Sequence, residues 1–70
     1  MINYYFRSLT DIFEFGMHKG LSLCDVLALD MDYIYWCQNN IPEFYISVIV
    51  EKQIMDLFPD FIFLKRLHNM

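Results

Sequence analysis

The two histidines and two cysteines of this 70-residue chain are the first candidates for a zinc site or a Cys–His catalytic pair. They are His18, Cys24, Cys37 and His68. Zinc sites and Cys–His catalytic pairs need such groups to converge, yet the sequence has no CxxC, HxxxH or HExxH spacing. Twelve residues separate the two cysteines, and no third group or oxyanion hole can be identified. We therefore predict no catalytic residue, no metal site and no cofactor, and hence no enzymatic activity.

The other reactive groups are better explained by structural roles. Asp25, Asp30 and Asp32 lie where helices are expected to begin, and carboxylates complement the positive end of a helix. Cys24 and Cys37 fall on apolar faces of predicted helices. In a reducing compartment such cysteines are usually buried thiols, so we expect free thiols rather than a disulfide.

A glycine-bracketed turn is the strongest candidate for a binding element. Phe13 and Phe15 alternate with Glu14 in the period of a half-buried strand, and a short polar tip follows. The turn reads Phe15-Gly16-Met17-His18-Lys19-Gly20. Both glycines suit backbone conformations with φ above zero, as in a tight hairpin loop. Gly16, His18, Lys19 and Gly20 are candidate contacts for an anion or nucleic acid, but we favour a turn that lets the helices pack.

Three helices are predicted after this hairpin. Their N-caps are Ser22, Asp30 and Ser47, and the second helix ends near Pro42. The third spans about residues 48–58, ends at Pro59 and has an apolar stripe of Val50, Ile54, Leu57 and Phe58. Residues 1–9, and residues 60–70 within the tail 59–70, fit either an extended or a helical conformation. The expected fold is one small α+β domain, an N-terminal β-hairpin packed against about three short α-helices.

Aromatic residues on the second helix could serve either in core packing or in stacking on nucleic-acid bases. Tyr33 and Trp36 recur with Cys37 and Ile41 at helical spacing, and aromatic side chains also stack on nucleic-acid bases. Stacking surfaces need flanking positive charge, which this acidic segment lacks. We therefore predict that Tyr33 and Trp36 pack in the core, with Phe15 as part of the same structural motif.

Composition predicts association with another protein. Hydrophobic residues make up 57% of the chain and aromatic residues 19%, which is more than a domain this small can bury. We expect a homo-oligomer, such as a homodimer, or a partner protein. The longest strongly apolar stretch, residues 44–50, is too short for a membrane span, and no secretory signal precedes it. A cytoplasmic location is expected.

The charge distribution argues against a broad nucleic-acid surface. The net charge is −4. Residues 21–60 carry seven acids against the single base Lys52. Because non-specific nucleic-acid affinity comes from several Lys and Arg side chains, only the hairpin tip and the tail offer local positive charge.

Two motifs in this chain resemble the small C-terminal domain of exodeoxyribonuclease X-like proteins, which also occurs alone in short bacterial proteins. One is that family's Phe-Gly-Lys-x-Lys-Gly hairpin, here residues 15–20 followed by Ser22. The other is an Asp-x-Tyr-like helix start with a tryptophan one turn later, here Asp30, Asp32, Tyr33, Ile34 and Trp36. The resemblance covers about residues 12–46.

The resemblance implies no exonuclease activity, because nuclease chemistry in that family belongs to a separate domain. Met17 stands where the family usually has lysine, so half of the basic tip is lost. We expect a non-enzymatic accessory or interaction module that self-associates or docks on a partner protein. The alternative is a weak nucleic-acid-binding adaptor that uses His18 and Lys19, with a contribution from Arg7.

Overall fold

The computed structural model describes residues 1–61 as two short strands and three helices. In chain order these elements are β1 (Tyr5–Phe6), α1 (Leu23–Leu29), α2 (Met31–Asn40), β2 (Tyr45–Ile46) and α3 (Val48–Leu57). The α+β class is therefore confirmed. Most of the predicted tail, residues 62–70, lies outside the described residues. Within the described part of the chain, no helix has the length and apolar character needed to cross a membrane.

All three predicted N-caps are confirmed, because each side chain accepts a hydrogen bond from the first turn of its helix. Ser22 Oγ accepts from the Asp25 N–H at 3.1 Å, and Ser47 Oγ accepts from the Val50 N–H at 3.3 Å. Asp30 Oδ1 accepts from the Tyr33 N–H at 3.3 Å. Each such cap stabilises a helix by about 1 kcal/mol. These local bonds explain why the three helices begin where the sequence predicts.

The predicted hairpin is present, but it has no regular strands. The Phe13 N–H donates to the Leu21 carbonyl at 2.8 Å, and the Gly20 N–H donates to the Phe13 carbonyl at 2.9 Å. A single antiparallel bridge joins Ile12 to Ser22. The segment is thus a hairpin loop, defined here as residues 12–22, whose closed end faces the start of α2.

The sheet forms from segments that the sequence pattern does not identify as strands. β1 pairs with β2 in parallel, with Tyr5 opposite Tyr45 and Phe6 opposite Ile46. The Ser47 N–H donates to the Phe6 carbonyl at 2.9 Å. Strands of two residues are too short to show a periodic pattern, so only the long-range pairing reveals them.

Three phenylalanine rings form the centre of the core. Phe6 of β1 lies 4.7 Å from Phe13 of the hairpin loop and 5.5 Å from Phe44, measured between ring centroids. All three are buried, together with Ile34 and Cys37 of α2. Aromatic pairs at this separation attract each other beyond the effect of burial alone. The rings therefore join segments that have little regular secondary structure of their own.

The apolar stripe predicted on α3 is confirmed at Val50 and Ile54, which are buried, and is wrong at Leu57, which is exposed. Phe58, the fourth residue of the predicted stripe, packs against the core as predicted. Leu57 is the last residue of α3, and helical spacing alone does not ensure that an apolar residue at the end of a helix is covered.

Both cysteines are free thiols, Cys37 buried and Cys24 partly buried. Burial raises the pKa of the Cys37 thiol to about 11, because the thiolate would lose its hydration there. This environment makes Cys37 unreactive as a nucleophile near neutral pH.

Cys37 should resist alkylation in the native protein. At pH 8 a thiol with a pKa of about 11 is only about 0.1% thiolate, and access to it is blocked by the core. We expect the Cys24→Ser variant, in which Cys37 is the remaining thiol, to react with iodoacetamide slowly when folded and rapidly in urea. Intact-mass spectrometry measures the extent of modification. Rapid alkylation of the folded variant would contradict the buried placement.

Candidate binding groove

The hairpin loop packs directly on the first turns of α2 through Tyr33. The Tyr33 ring lies 4.9 Å from the His18 ring in an edge-on arrangement and 5.9 Å from the Phe13 ring, measured between centroids. Gly16 has a φ of +74°, and a Cβ atom at that position would overlap the Tyr33 hydroxyl. The absence of a side chain at Gly16 therefore allows the loop backbone and the phenol to touch.

The two loop glycines have different roles. Gly20 also has a positive φ, +97°, but a Cβ atom there would meet no atom within 4 Å. At position 20, glycine is favoured only because φ is positive. At position 16, glycine is favoured because φ is positive and because a side chain would overlap Tyr33.

One carboxylate connects the loop to both helix ends. Asp30 is the C-cap residue of α1 and the N-cap residue of α2. Its Oδ1 caps α2, and its Oδ2 lies 2.9 Å from His18 Nε2. This pair is partly shielded, since the His18 side chain is only 15% exposed. His18 therefore anchors the loop to the junction of the two helices.

The two candidate contacts at the end of the loop differ in exposure: His18 is largely covered, whereas Lys19 is exposed. Closure of the loop turns the imidazole back onto α2, where Asp30 and Tyr33 contact it. Sequence analysis did identify Asp30 as a cap. Asp30 also binds His18, a polar residue twelve positions earlier. Sequence spacing alone cannot show that the loop folds back and brings these two side chains together.

An open groove lies between the hairpin loop and α2, with a volume of about 580 Å³. Its apolar lining comes from Phe15, Met17, Tyr33, Trp36 and Ile41. Among the described residues, the charged ones in the lining are Asp30 and Asp32, and Gly16 also contributes to the surface. This volume lies within the range of known ligand and peptide sites. We refer to this feature as the groove.

Trp36 is a wall of the groove and does not lie in the core. Its indole stacks on the Tyr33 ring at a centroid distance of 6.0 Å and an interplanar angle of 13°. The side chain is 52% exposed, so the prediction of core packing is wrong for Trp36. At about 100° per residue, Trp36 lies about 160° around the helix from Ile34, which is fully buried. The buried face of α2 is centred near Ile34 and Cys37, and Tyr33 and Trp36 lie off its edge.

Electrostatically the groove is acidic. Burial raises the pKa of the Tyr33 hydroxyl and the nearby Cys37 raises it further, while a hydrogen bond from the Met17 backbone acts in the opposite direction. The phenol is therefore neutral at pH 7. Among residues 1–61, no lysine or arginine lines the groove, so its only ionised lining groups are carboxylates.

The candidate anion contacts lie together in the loop, but some are exposed and one is already paired with a carboxylate. Gly16, Lys19 and Gly20 are exposed, and His18 is paired with Asp30. Arg7 lies elsewhere, with its guanidinium 4.7 Å from the centroid of the Tyr5 ring. Anion binding at the loop stays a prediction. Across residues 1–61, no three His, Cys, Asp or Glu side chains are grouped so that they could hold a metal ion.

Replacing each loop glycine by alanine should distinguish the cost of steric overlap with Tyr33 from the cost of a positive φ. We expect Gly16→Ala to lower the free energy of unfolding by about 2–3 kcal/mol, because positive φ is strained and the new Cβ displaces the Tyr33 hydroxyl. Gly20→Ala is the matched control, with an expected loss of about 1 kcal/mol from conformation alone. Urea denaturation monitored by circular dichroism measures both. Equal losses in the two variants would contradict the close contact between Gly16 and Tyr33.

Comparison with known proteins identifies one family. Residues 13–41 match the family model described as exodeoxyribonuclease X-like C-terminal. No curated protein and no solved structure gives a significant match. The matched segment contains most of the hairpin loop, α1 and α2, and every residue that lines the groove lies inside it. Residues 13–41 of the chain are therefore similar to the exodeoxyribonuclease X-like C-terminal family.

Proposed function

We propose that this chain is a non-enzymatic interaction module that docks on a partner protein through the groove. The observation that carries the proposal is the exposure of large apolar side chains there: Trp36 is 52% exposed and Met17 is 76% exposed. Tryptophan is enriched among residues that dominate binding energies, and methionine adapts its shape to a ligand. Apolar surface bordered by carboxylates is typical of a protein-binding site.

The groove is held open before any ligand arrives. The contact between Gly16 and Tyr33 fixes one side of the loop, and the pair of His18 with Asp30 fixes the other. A preformed site loses less conformational entropy on binding than one that must be ordered. These contacts therefore favour a role in recognition.

A catalytic role receives no support from the groups in the groove. The carboxylate of Asp30 is engaged by His18 and by the α2 backbone, and the Tyr33 hydroxyl is neutral. The thiol nearest to these groups, Cys37, is buried with a raised pKa. The family match concerns a C-terminal domain and includes no nuclease domain. These features agree with a binding function.

The nucleic-acid alternative receives less support from the geometry. Lys19 is exposed and suits a phosphate contact, but His18 already has a carboxylate partner. Asp30 and Asp32 line the adjoining groove and would repel a phosphate backbone. The groove therefore favours a protein segment over a polynucleotide.

Self-association through α3 is a second candidate, and the outer surface of that helix favours it. Val48, Ile49, Met55 and Leu57 are all more than half exposed. Lys52 and Asp56 are exposed on the same helix. In an antiparallel pair of α3 helices related by a twofold axis, Lys52 of one copy approaches Asp56 of the other. The apolar contact and the charge pair would then support the same arrangement.

Removing the tryptophan should strongly weaken partner docking. We expect a protein retained from native-host extract by the wild-type chain to be reduced at least tenfold with Trp36→Ala, because the variant loses the largest exposed side chain of the groove. Tyr45→Ala is the matched control, since Tyr45 is also 52% exposed but lies outside the groove. Quantitative mass spectrometry of the retained proteins measures the difference.

Two results would count against docking through the groove. One is equal retention of every bound protein by the two variants. The other is a set of NMR shifts at residues 16–20 on adding DNA at low salt, abolished by Lys19→Ala, which would favour the nucleic-acid alternative instead.

A charge placed on α3 should weaken self-association. We expect wild-type protein to sediment as a dimer at high concentration and Ile49→Glu to shift the equilibrium toward monomer by at least tenfold, because a carboxylate would be buried in the contact. Ala28→Glu adds the same charge on an exposed position of α1 and serves as the control. Wild-type protein that stays monomeric at millimolar concentration would exclude this second candidate.

A further inference from the structure

The residues of the groove favour one chemical class of ligand. Asp32 and Trp36 are four positions apart on α2, so their side chains are neighbours on one face, with Cβ atoms about 5–6 Å apart. Both line the groove. A carboxylate beside an exposed indole is suited to a cation, which is attracted by the negative charge and by the ring face together.

Asp32 is available for such a contact. Among residues 1–61, it has no hydrogen-bond or ion-pair partner, and its side chain is exposed. The other groove carboxylate, Asp30, is occupied by His18 and by the cap of α2. The position of Asp32 in the first turn also lets it complement the α2 dipole, so a test must separate that structural role from binding.

The remaining lining is apolar and continuous with the cation site. Phe15, Met17 and Ile41 line the same groove as Trp36. Its volume of about 580 Å³ exceeds what one lysine or arginine side chain fills, so further apolar side chains of the ligand have room. A ligand with a basic residue beside apolar residues complements both parts.

We propose that the groove binds a segment of a partner protein that presents a lysine or arginine next to one or two apolar side chains. The cation lies against Asp32 and the Trp36 ring, and the apolar side chains contact Phe15, Met17 and Ile41. This inference rests on the proposed docking function and adds the chemistry of the ligand. It also agrees with the lining found among residues 1–61, which has carboxylates and no basic residue and therefore disfavours an acidic or phosphorylated segment.

A random peptide library displayed on phage provides the first test. Selection on the wild-type chain, after removal of clones that bind Trp36→Ala, should enrich lysine or arginine adjacent to apolar positions. Trp36-dependent clones that lack basic residues would overturn the ligand chemistry and leave docking through the groove intact. A selection that yields no Trp36-dependent clone would overturn the docking function itself.

Fluorescence then measures affinity directly, because Trp36 is the only tryptophan of the chain. We expect a synthetic peptide from the selection to bind Asp32→Asn about five- to tenfold more weakly than wild type. A second peptide, with glutamine in place of the basic residue, should bind both proteins equally. Asp25→Asn is the matched control, because Asp25 occupies the first turn of α1 and makes the same charge change outside the groove.

Three results would overturn the proposed ligand chemistry. The first is an equal loss of affinity in Asp25→Asn and Asp32→Asn, which would assign the effect to net charge. The second is an unchanged affinity in Asp32→Asn. The third is a concentration-dependent change of Trp36 emission without peptide, since the groove would then be covered by a second copy of the chain.

Discussion

The groove depends on the bonds that the Asp30 carboxylate makes with His18 and with the first turn of α2. Asp30 ends α1, begins α2 and binds His18 of the hairpin loop, so a single side chain sets the relation of three segments. Its pair with His18 is shielded from water on one side, and hydrogen bonds to charged groups are stronger in such surroundings. Without this connection, the loop would be held beside α2 by the contacts of Gly16 and Phe13 with Tyr33, and no ion pair would link it to the helix junction.

Residues 13–41 contribute to both the groove and the core, and the core also includes residues outside that segment. The matched family segment, residues 13–41, supplies the loop, both helices and every lining residue. Phe6 and Phe44 lie outside that segment and pack on Phe13 from the other side. A domain of this size buries only a modest apolar core, so a firm aromatic centre compensates for the apolar surface left exposed at the groove.

The exposed apolar surfaces of the groove and of α3 differ in shape and therefore favour different partners. At the groove, Met17 and Trp36 border a concave site whose walls are fixed by contacts with Tyr33 and Asp30. On α3, Ile49 and its exposed neighbours lie along one convex helix. A concave, preformed surface favours a specific ligand, whereas a convex helix favours pairing with another helix. One small domain can therefore carry two separate contacts.

The sequence by itself determined the features that depend on neighbouring residues. Helix starts at Ser22, Asp30 and Ser47 could be predicted because a cap is a bond between residues three positions apart, and the glycines of the loop could be predicted because φ is a local property. Only the tertiary structure decided the parallel pairing of β1 with β2, the bond of His18 to Asp30 and the exposure of Trp36. Each of these depends on which distant segment covers a given face, and that choice is made by the packing of the whole chain.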